Sequence, residues 1–442
     1  MLDDPDRDFA GHLAEVTRRA AAALEAGGLD GLAIYSGRPR YAFQDDRPYA
    51  FVANPHFEHW APVTDAPDCF IAWVPGERPR LFFHQPADYW HRPPHLPAGA
   101  WQREFDVHVV REATEARRLL GLQRGRFAFI GEGQPEFGDW GFAAFNPDAV
   151  LAHLHYFRAV KTPYELACMR RASLSAARGH LAARDAFLAG ASEFEAHLAY
   201  CKAADAREEE LPYGNIVAFD EGGAVLHYQH LDRRRDRPRR SFLIDAGAQF
   251  RGYAADVTRT WSGGDGEFSG LVRAMDALQQ HLCAGIRAGL DYRDLHLAAH
   301  RAIGGLLGDA GIIRCDAGTA VAERVTSVFF PHGIGHLLGL QVHDVAGLAA
   351  GAGGGEIPRP EGHPFLRLTR VLEPGFVVTV EPGIYFIDLL LDAARADGRG
   401  RHIDWSAVER LKPFGGIRIE DDVACTAGEP ENLTRDAFAA LG

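Results

Sequence analysis

Apolar positions change period several times along the chain, and each change marks an expected element. Leu271, Met275, Leu278, Leu282 and Ile286 recur at three- and four-residue spacings, the pattern of one buried helix face, with Gly289 placed to end the helix. A further helix is expected over 294–307, closed by Gly308. Thr162, Pro163 and Glu165 read as N-cap, first helical residue and capping-box partner, and Ser192 with Glu195 repeats that spacing for a helix running toward Ala206. Strand-like runs at 32–35, 69–74, 80–83 and 127–130 alternate with a helical stretch at 13–26, which predicts an α/β domain over residues 1–155. Beyond it, helices alternate with strand candidates at 241–248, 253–261, 376–381 and 416–425. This predicts an α+β domain over 156–442 with a largely antiparallel sheet. Residues 347–364, rich in Gly and Pro, read as a long surface loop.

Composition narrows the class. The chain has 442 residues, 47% of them hydrophobic and 24% charged, a globular balance that excludes disorder. Lys plus Arg number 47 against 60 Asp plus Glu, a net charge of −13 that repels nucleic acid and acidic membranes. No apolar run approaches the roughly 18 residues of a membrane span, and the acidic N-terminus has no apolar leader segment, so no membrane partner and a cytoplasmic location are expected. Six cysteines without a CxxC pair read as reduced packing thiols. The basic run Arg233, Arg234, Arg235, Arg237, Arg239 and Arg240 reads as a solvated loop, and the glycines at 351–355 lack the Lys-Ser/Thr of a phosphate loop.

Candidate chemistry lies in the second half. Two strand-like runs meet at a turn over 249–252, which would set Asp245 and Asp256 directly opposite each other on one face. Asp245 follows Phe242, Leu243 and Ile244, a run that suggests burial, and two buried carboxylates at that distance call for a cation; the alternative is a turn-flanking pair in solvent. His332, His336 and His343 fall within twelve positions among glycines, a site wall rather than a helix face, and the intervening Glu of a zincin helix is absent. Glu381 closes the apolar run 377–380 and is held extended by Pro382, while Arg418 and Glu420 share one face of an alternating strand. Either strand alone could be an edge with a solvated face. Together Asp245, Asp256, His336, Glu381 and Glu420 form an oxygen-rich donor set that favours Mn, Mg or Co. Four negative charges exceed what one divalent ion balances, so two metals at roughly 3.5–4 Å fit better.

Asp245 with Asp256, HGIGH at 332–336, EPGIYF at 381–386 and GGIRIED at 415–421 resemble, in order and character, the five-ligand dinuclear centre of the pita-bread metallopeptidases. That fold is shared by methionine aminopeptidase, aminopeptidase P and prolidase. The flanking segments FVANPHFEHWAPVT, KTPYELACMRRA, LPYGNIVAFDEGGAVLHY and ENLTRD are most similar to the bacterial Xaa-Pro dipeptidase branch. The resemblance implies an α/β N-terminal domain and a pita-bread C-terminal catalytic domain. It implies two divalent ions per subunit, with Mn2+ expected: Asp245 on one, His336 and Glu381 on the other, and Asp256 and Glu420 bridging. It also implies that His227, His332, His343 and Arg418 line the substrate pocket, that Arg367 holds the substrate carboxylate, and that Tyr213 lines the pocket. Asp45 is expected to reach the site of the other subunit of a homodimer. The expected reaction is attack of a metal-bridging hydroxide on the Xaa-Pro bond of a dipeptide, with His343 and His332 donating to the oxyanion and Glu381 carrying the proton. Phosphotriester hydrolysis is a plausible side activity. Open alternatives are aminopeptidase P action on longer Xaa-Pro peptides, methionine aminopeptidase, a metal-free creatinase-like hydrolase, and a binding module that lost its metals.

Overall fold

The computed structural model describes residues 4–442, which form two compact units. One runs to Cys168 and takes in Phe250–Tyr253 and Ala349–Glu356; the other comprises Met169–Gln249, Ala254–Leu348 and Ile357–Gly442.

In the first unit, β1 (Gly31–Tyr35), β2 (Phe70–Trp73), β3 (Arg80–His84), β4 (Asp106–Val110), β5 (Phe127–Ile130) and β6 (Ala144–Phe145) make one mixed sheet in the order β4-β3-β2-β1-β5-β6. The hairpin-linked pairs β1–β2 and β2–β3 are antiparallel, whereas β3–β4, β1–β5 and β5–β6 are parallel. Tyr35, Phe70, Phe82, Phe129 and Phe137 pack on the sheet as an aromatic core. Helices Phe9–Gly27 and Asp148–Arg158 belong to this unit, an α/β arrangement. The capping box at Thr162 is formed: the Thr162 N–H donates to Glu165 Oε2 at 2.8 Å and the Glu165 N–H to Thr162 Oγ1 at 3.4 Å. His12 Nδ1 lies 2.8 Å from the same hydroxyl, so the cap is buried as well as made.

The second unit is built on β7 (Ile216–Phe219), β8 (Ser241–Asp245), most of β9 (Ala248–Phe250) and β10 (Tyr253–Ala255), β11 (Thr258–Ser262), β12 (Val377–Val380), β13 (Gly383–Tyr385), β14 (Gly416–Arg418), β15 (Asp421–Ala424) and β16 (Glu431–Asn432). The registered pairs β7–β8, β8–β11, β12–β15, β13–β14 and β15–β16 are all antiparallel. Isolated bridges Thr258–Glu420 and Leu337–Val378 join these short ladders. Breaks at 256–257 and 419–420 interrupt what the sequence pattern reads as continuous strands, and both breaks fall on or beside acidic residues.

Three local readings are corrected. The tip of the hairpin is Arg251–Gly252, with φ of 53° and 84°, the left-handed pair of a two-residue turn. That centre lies one residue beyond the expected one, so the register moves by two and Asp245 pairs with Thr258, not Asp256. The helix Glu267–Ala284 stops at Gly285 rather than Gly289. The helix Tyr292–Asp309, opened by Asp291, runs through Gly308, and the left-handed residue that follows is Gly311. The basic run is solvated as expected at Arg233, Arg234, Arg235 and Arg240, while Arg237 turns inward, its Nη1 lying 3.1 Å from the buried Glu193. Glu193 also accepts the Phe219 and Asp232 N–H groups, so a buried carboxylate draws this loop inward.

Phe242 is fully buried beside Phe187, Phe219 and Trp261, with ring centroids at 5.1, 5.2 and 5.4 Å, and sits three residues before Asp245. Phe242→Ala is expected to cost about 3–5 kcal/mol in urea unfolding; a loss below about 1 kcal/mol would show that this aromatic layer does not support β8.

Candidate metal centre

Asp245 stands at the end of β8 and Asp256 in the gap between β10 and β11. Asp256 is a diagonal neighbour of Asp245 rather than its direct partner, and the two still converge. Tyr213 Oη lies 2.7 Å from Asp245 Oδ1 and 2.5 Å from Asp256 Oδ1. A phenol has one proton, so it serves one carboxylate at a time.

His336 and Glu381 are brought together by backbone. Residues 334–337 run beside β12, with the Thr379 N–H donating to His336 O, the Glu381 N–H to Ile334 O and the His336 N–H to Thr379 Oγ1. A Cβ on Gly335 would run into the Thr379 carbonyl, so this approach requires glycine there. His336 Nε2 lies 3.5 Å from Asp256 Oδ2 and 3.8 Å from Glu381 Oε1. Its Nδ1 donates to the Leu337 carbonyl at 2.9 Å, which turns Nε2 toward the carboxylates, where it carries a proton toward Asp256 unless a cation takes its lone pair.

Glu420 occupies the break before β15, where Thr258 Oγ1 donates to its Oε2 at 2.6 Å. Ligand atoms of Asp256, His336 and Glu420, all buried, lie within 4.8 Å of one another. Burial pushes the Asp245 carboxyl up, Glu381 up to about 7, and Glu420 well above the usual carboxylate range. Burial acts on Asp256 in the same direction, but hydrogen bonding and attraction from His336 outweigh it and leave that carboxyl lowered. Four carboxyls and one outward-facing imidazole lone pair suit a divalent cation, which would replace the protons that otherwise neutralise the pocket.

A second layer fixes these groups. Arg418 donates from Nη2 to Asp245 Oδ2 at 2.7 Å, from Nη1 to Tyr385 Oη at 2.9 Å and from Nε to Thr258 Oγ1 at 3.2 Å. Tyr385 Oη is in turn 2.8 Å from His332 Nε2, and His332 Nδ1 is 2.8 Å from the Gly333 carbonyl. Asp422 accepts the Asp256 N–H at 3.0 Å, and Asp421 is clamped by Arg259 and Arg435, each at 2.7 Å. Thr258, Tyr385, Asp421 and Asp422 were missed by the sequence reading. Thr258 carries a usable signal, sitting two residues after Asp256; three consecutive acids at 420–422 in an apolar strand carry another.

The other expected residues fall as follows. His343 is exposed, with its ring 4.4 Å from that of His336 and nearly perpendicular to it. His227 and Arg367 are exposed, and both act electrostatically on His343. Arg370, three residues after Arg367, is buried, paired with Glu373 and stacked on Phe376. Asp45 belongs to the first unit, is exposed, and accepts the backbone N–H of Asp46.

Comparison with known proteins accords with this geometry. Residues 167–427 match the profile of metallopeptidase family M24, and residues 7–156 that of the Xaa-Pro dipeptidase N-terminal domain. The chain belongs to metallopeptidase family M24. An Xaa-Pro dipeptidase of Stenotrophomonas maltophilia is 51% identical over 441 residues, covering 100% of this chain and 99% of that protein. One from Xanthomonas campestris is 52% identical over 433 residues, with 98% of each covered. Among solved structures, a proline aminopeptidase P II of Yersinia pestis superposes with a TM-score of 0.70 at 26% identity, covering 97% of this chain and 100% of that one. The fold of this metallopeptidase is therefore an α/β N-terminal domain with a mixed sheet followed by a pita-bread catalytic domain, and its family implies a divalent metal. No described helix is long and apolar enough to cross a membrane.

Glu381 supplies a pH test. Its raised value means the folded metal-free protein binds a proton between about pH 4.5 and 7 that the unfolded chain does not. Its contribution is present below the unfolded value and is lost as pH rises through the folded one. The gain in Tm on adding Mn2+ should therefore grow from pH 5 to pH 8; a gain independent of pH would mean these carboxyls are not the ligands.

Proposed function

We propose that this metallopeptidase hydrolyses the Xaa-Pro bond of dipeptides with a C-terminal proline, using two divalent ions, most readily Mn2+, held by Asp245, Asp256, His336, Glu381 and Glu420. The observation that carries the reading is the convergence of four carboxyls and one imidazole on a single pocket in which Asp256, His336 and Glu420 are buried. In this reading Asp245, with Asp256 and Glu420, would hold one ion, and His336 and Glu381, with the same two carboxylates, would hold the other. The bound ions would supply an electrophile for the scissile carbonyl and acidify a water molecule.

The remaining work falls to the chain. Arg418 and Tyr213 hold Asp245, leaving it little freedom to rotate. Glu381 takes the proton that water gives up and returns it to the prolyl nitrogen, which must be protonated to leave. His343 donates a hydrogen bond to the oxyanion that forms as the carbonyl is attacked. His332, expected beside His343 on the oxyanion, has both nitrogens engaged, Nδ1 on the Gly333 carbonyl and Nε2 on the Tyr385 hydroxyl, and instead orients the Tyr385–Arg418 pair. The exposed guanidinium of Arg367 anchors the substrate carboxylate, with Tyr213 and His227 on the pocket wall. A site that spends an arginine on that carboxylate rejects chains extended past proline. The dipeptidases at 51–52% identity support this choice over the longer substrates of aminopeptidase P.

The working form is a homodimer in which Asp45 of the partner subunit reaches the pocket. In support, Tyr41, Phe43, Tyr49 and Val52 around Asp45 are 57, 90, 62 and 77% exposed, an apolar surface that association would cover. Six free thiols suit a reducing cytoplasm. Slow phosphotriester hydrolysis would accompany the peptidase activity; release of nitrophenolate no faster than in a chelated control removes it.

The decisive assay is a panel of Gly-Pro, Leu-Pro, Gly-Leu and Gly-Pro-Ala with metal-free and Mn2+-loaded protein. Only the two prolyl dipeptides should be cleaved, and only with metal. Preference for the tripeptide would reassign the enzyme to aminopeptidase P chemistry, and equal cleavage of Gly-Leu would remove the proline specificity. His343→Ala should lower kcat for Gly-Pro by about 100-fold with little change in KM; an unchanged kcat removes His343 from the oxyanion.

A further inference from the structure

A second histidine cluster lies on the other side of His332, outside the five-ligand centre. His296 and His300 sit one turn apart on the helix Tyr292–Asp309, and His363 approaches them from the loop that follows Pro360. One ligand nitrogen from each lies within 4.8 Å of the others. The three rings are mutually steep: centroids are 4.6–4.7 Å apart, with interplanar angles of 87° and 89° for His296 against His300 and His363, and 64° between the latter two. Edge-to-face packing alone also gives steep rings, so the assignment rests on where the nitrogens fall.

The hydrogen bonds agree. His300 Nδ1 lies 2.9 Å from Thr326 Oγ1, which fixes one nitrogen and leaves Nε2 for a ligand. His296 Nε2 is 2.9 Å from His363 Nδ1, but His296 is buried and its Nδ1 has no hydrogen-bond partner, so the His–His contact does not satisfy that ring. A tetrahedral ion bonded at roughly 2.0–2.1 Å sets its nitrogens about 3.4 Å apart, within reach of small rotations of these side chains. His296 and His300 are buried and His363 is half-buried at the edge of a cavity of about 600 Å³, so a fourth position would face open space. Arg324 lines the same cavity, and its guanidinium suits an anion or hydroxide in that fourth position.

We propose that His296, His300 and His363 form a distinct site for a four-coordinate transition-metal dication, Zn2+ in the first instance. Its all-nitrogen donor set contrasts with the oxygen-rich centre and selects a different metal class. Three imidazoles with one open position match zinc, while the hard ions that suit the carboxylate pocket gain little from neutral nitrogen ligands.

The test compares zinc content by mass spectrometry in Mn2+-loaded wild type and His363→Ala, each dialysed against the same free Zn2+. Because only the difference is read, it does not depend on how many ions the carboxylate centre holds. Wild type should retain one more zinc per chain than His363→Ala. Thr326→Val, nearly isosteric and removing only the partner of His300, should weaken zinc at this site roughly 10- to 100-fold in a titration. Mn2+-dependent Gly-Pro cleavage by each variant reports that it is folded. Equal zinc content in wild type and His363→Ala, or a titration unmoved by Thr326→Val, would overturn the proposal and leave a histidine cluster held by packing alone.

Discussion

Mutual repulsion among four carboxyl groups in one partly buried pocket is the constraint on which the catalytic unit depends. Asp245, Asp256, Glu381 and Glu420 would each be solvated separately in an unfolded chain; brought together they can remain only if cations or protons neutralise them. The metal-free pocket resolves this in three ways at once. Asp256 leans on His336, Asp245 on Arg418 and Tyr213, and Glu420 with Glu381 shifts upward and holds protons. The same repulsion that makes the site costly makes it receptive to divalent ions.

The surrounding structure supports that pocket by fixing backbone before side chains. Short antiparallel ladders end or break at Asp245, Asp256, Glu381 and Glu420, so each carboxyl projects from a strand terminus rather than from within a ladder. Arg259 and Arg435 on Asp421, Asp422 on the Asp256 N–H, and Thr258 on Glu420 then hold the breaks in shape. Arg418 joins Asp245, Tyr385 and Thr258, which makes it the side chain through which distant parts of the site are kept in register. The aromatic layer around Phe242 supports β8 from beneath.

Much of this was legible from local pattern. The capping boxes at Thr162 and Ser192 formed where the spacing placed them, and the α/β and antiparallel α+β halves follow from strand and helix alternation. What local pattern handled poorly was anything decided by one residue of register or by a partner far along the chain. The Asp245–Asp256 pairing moved because the left-handed pair is Arg251–Gly252, and Gly285 ended a helix that Gly289 had been expected to end. Arg237 was read as solvated with the rest of the basic run because Glu193, its buried partner, lies some forty residues earlier. Tyr385 was passed over for the same reason: its role exists only once Arg418 has folded back beside it. His296 and His300 show helical spacing, yet nothing near them announces His363.

The central claim is that five side chains distant in sequence hold a pair of divalent ions. Anomalous diffraction from a crystal soaked in Mn2+ tests it most directly. The account predicts two peaks roughly 3.5–4 Å apart, with Asp256 and Glu420 each touching both, Asp245 touching one, and His336 and Glu381 the other. A single peak, or manganese bound anywhere but among these five residues, would contradict it.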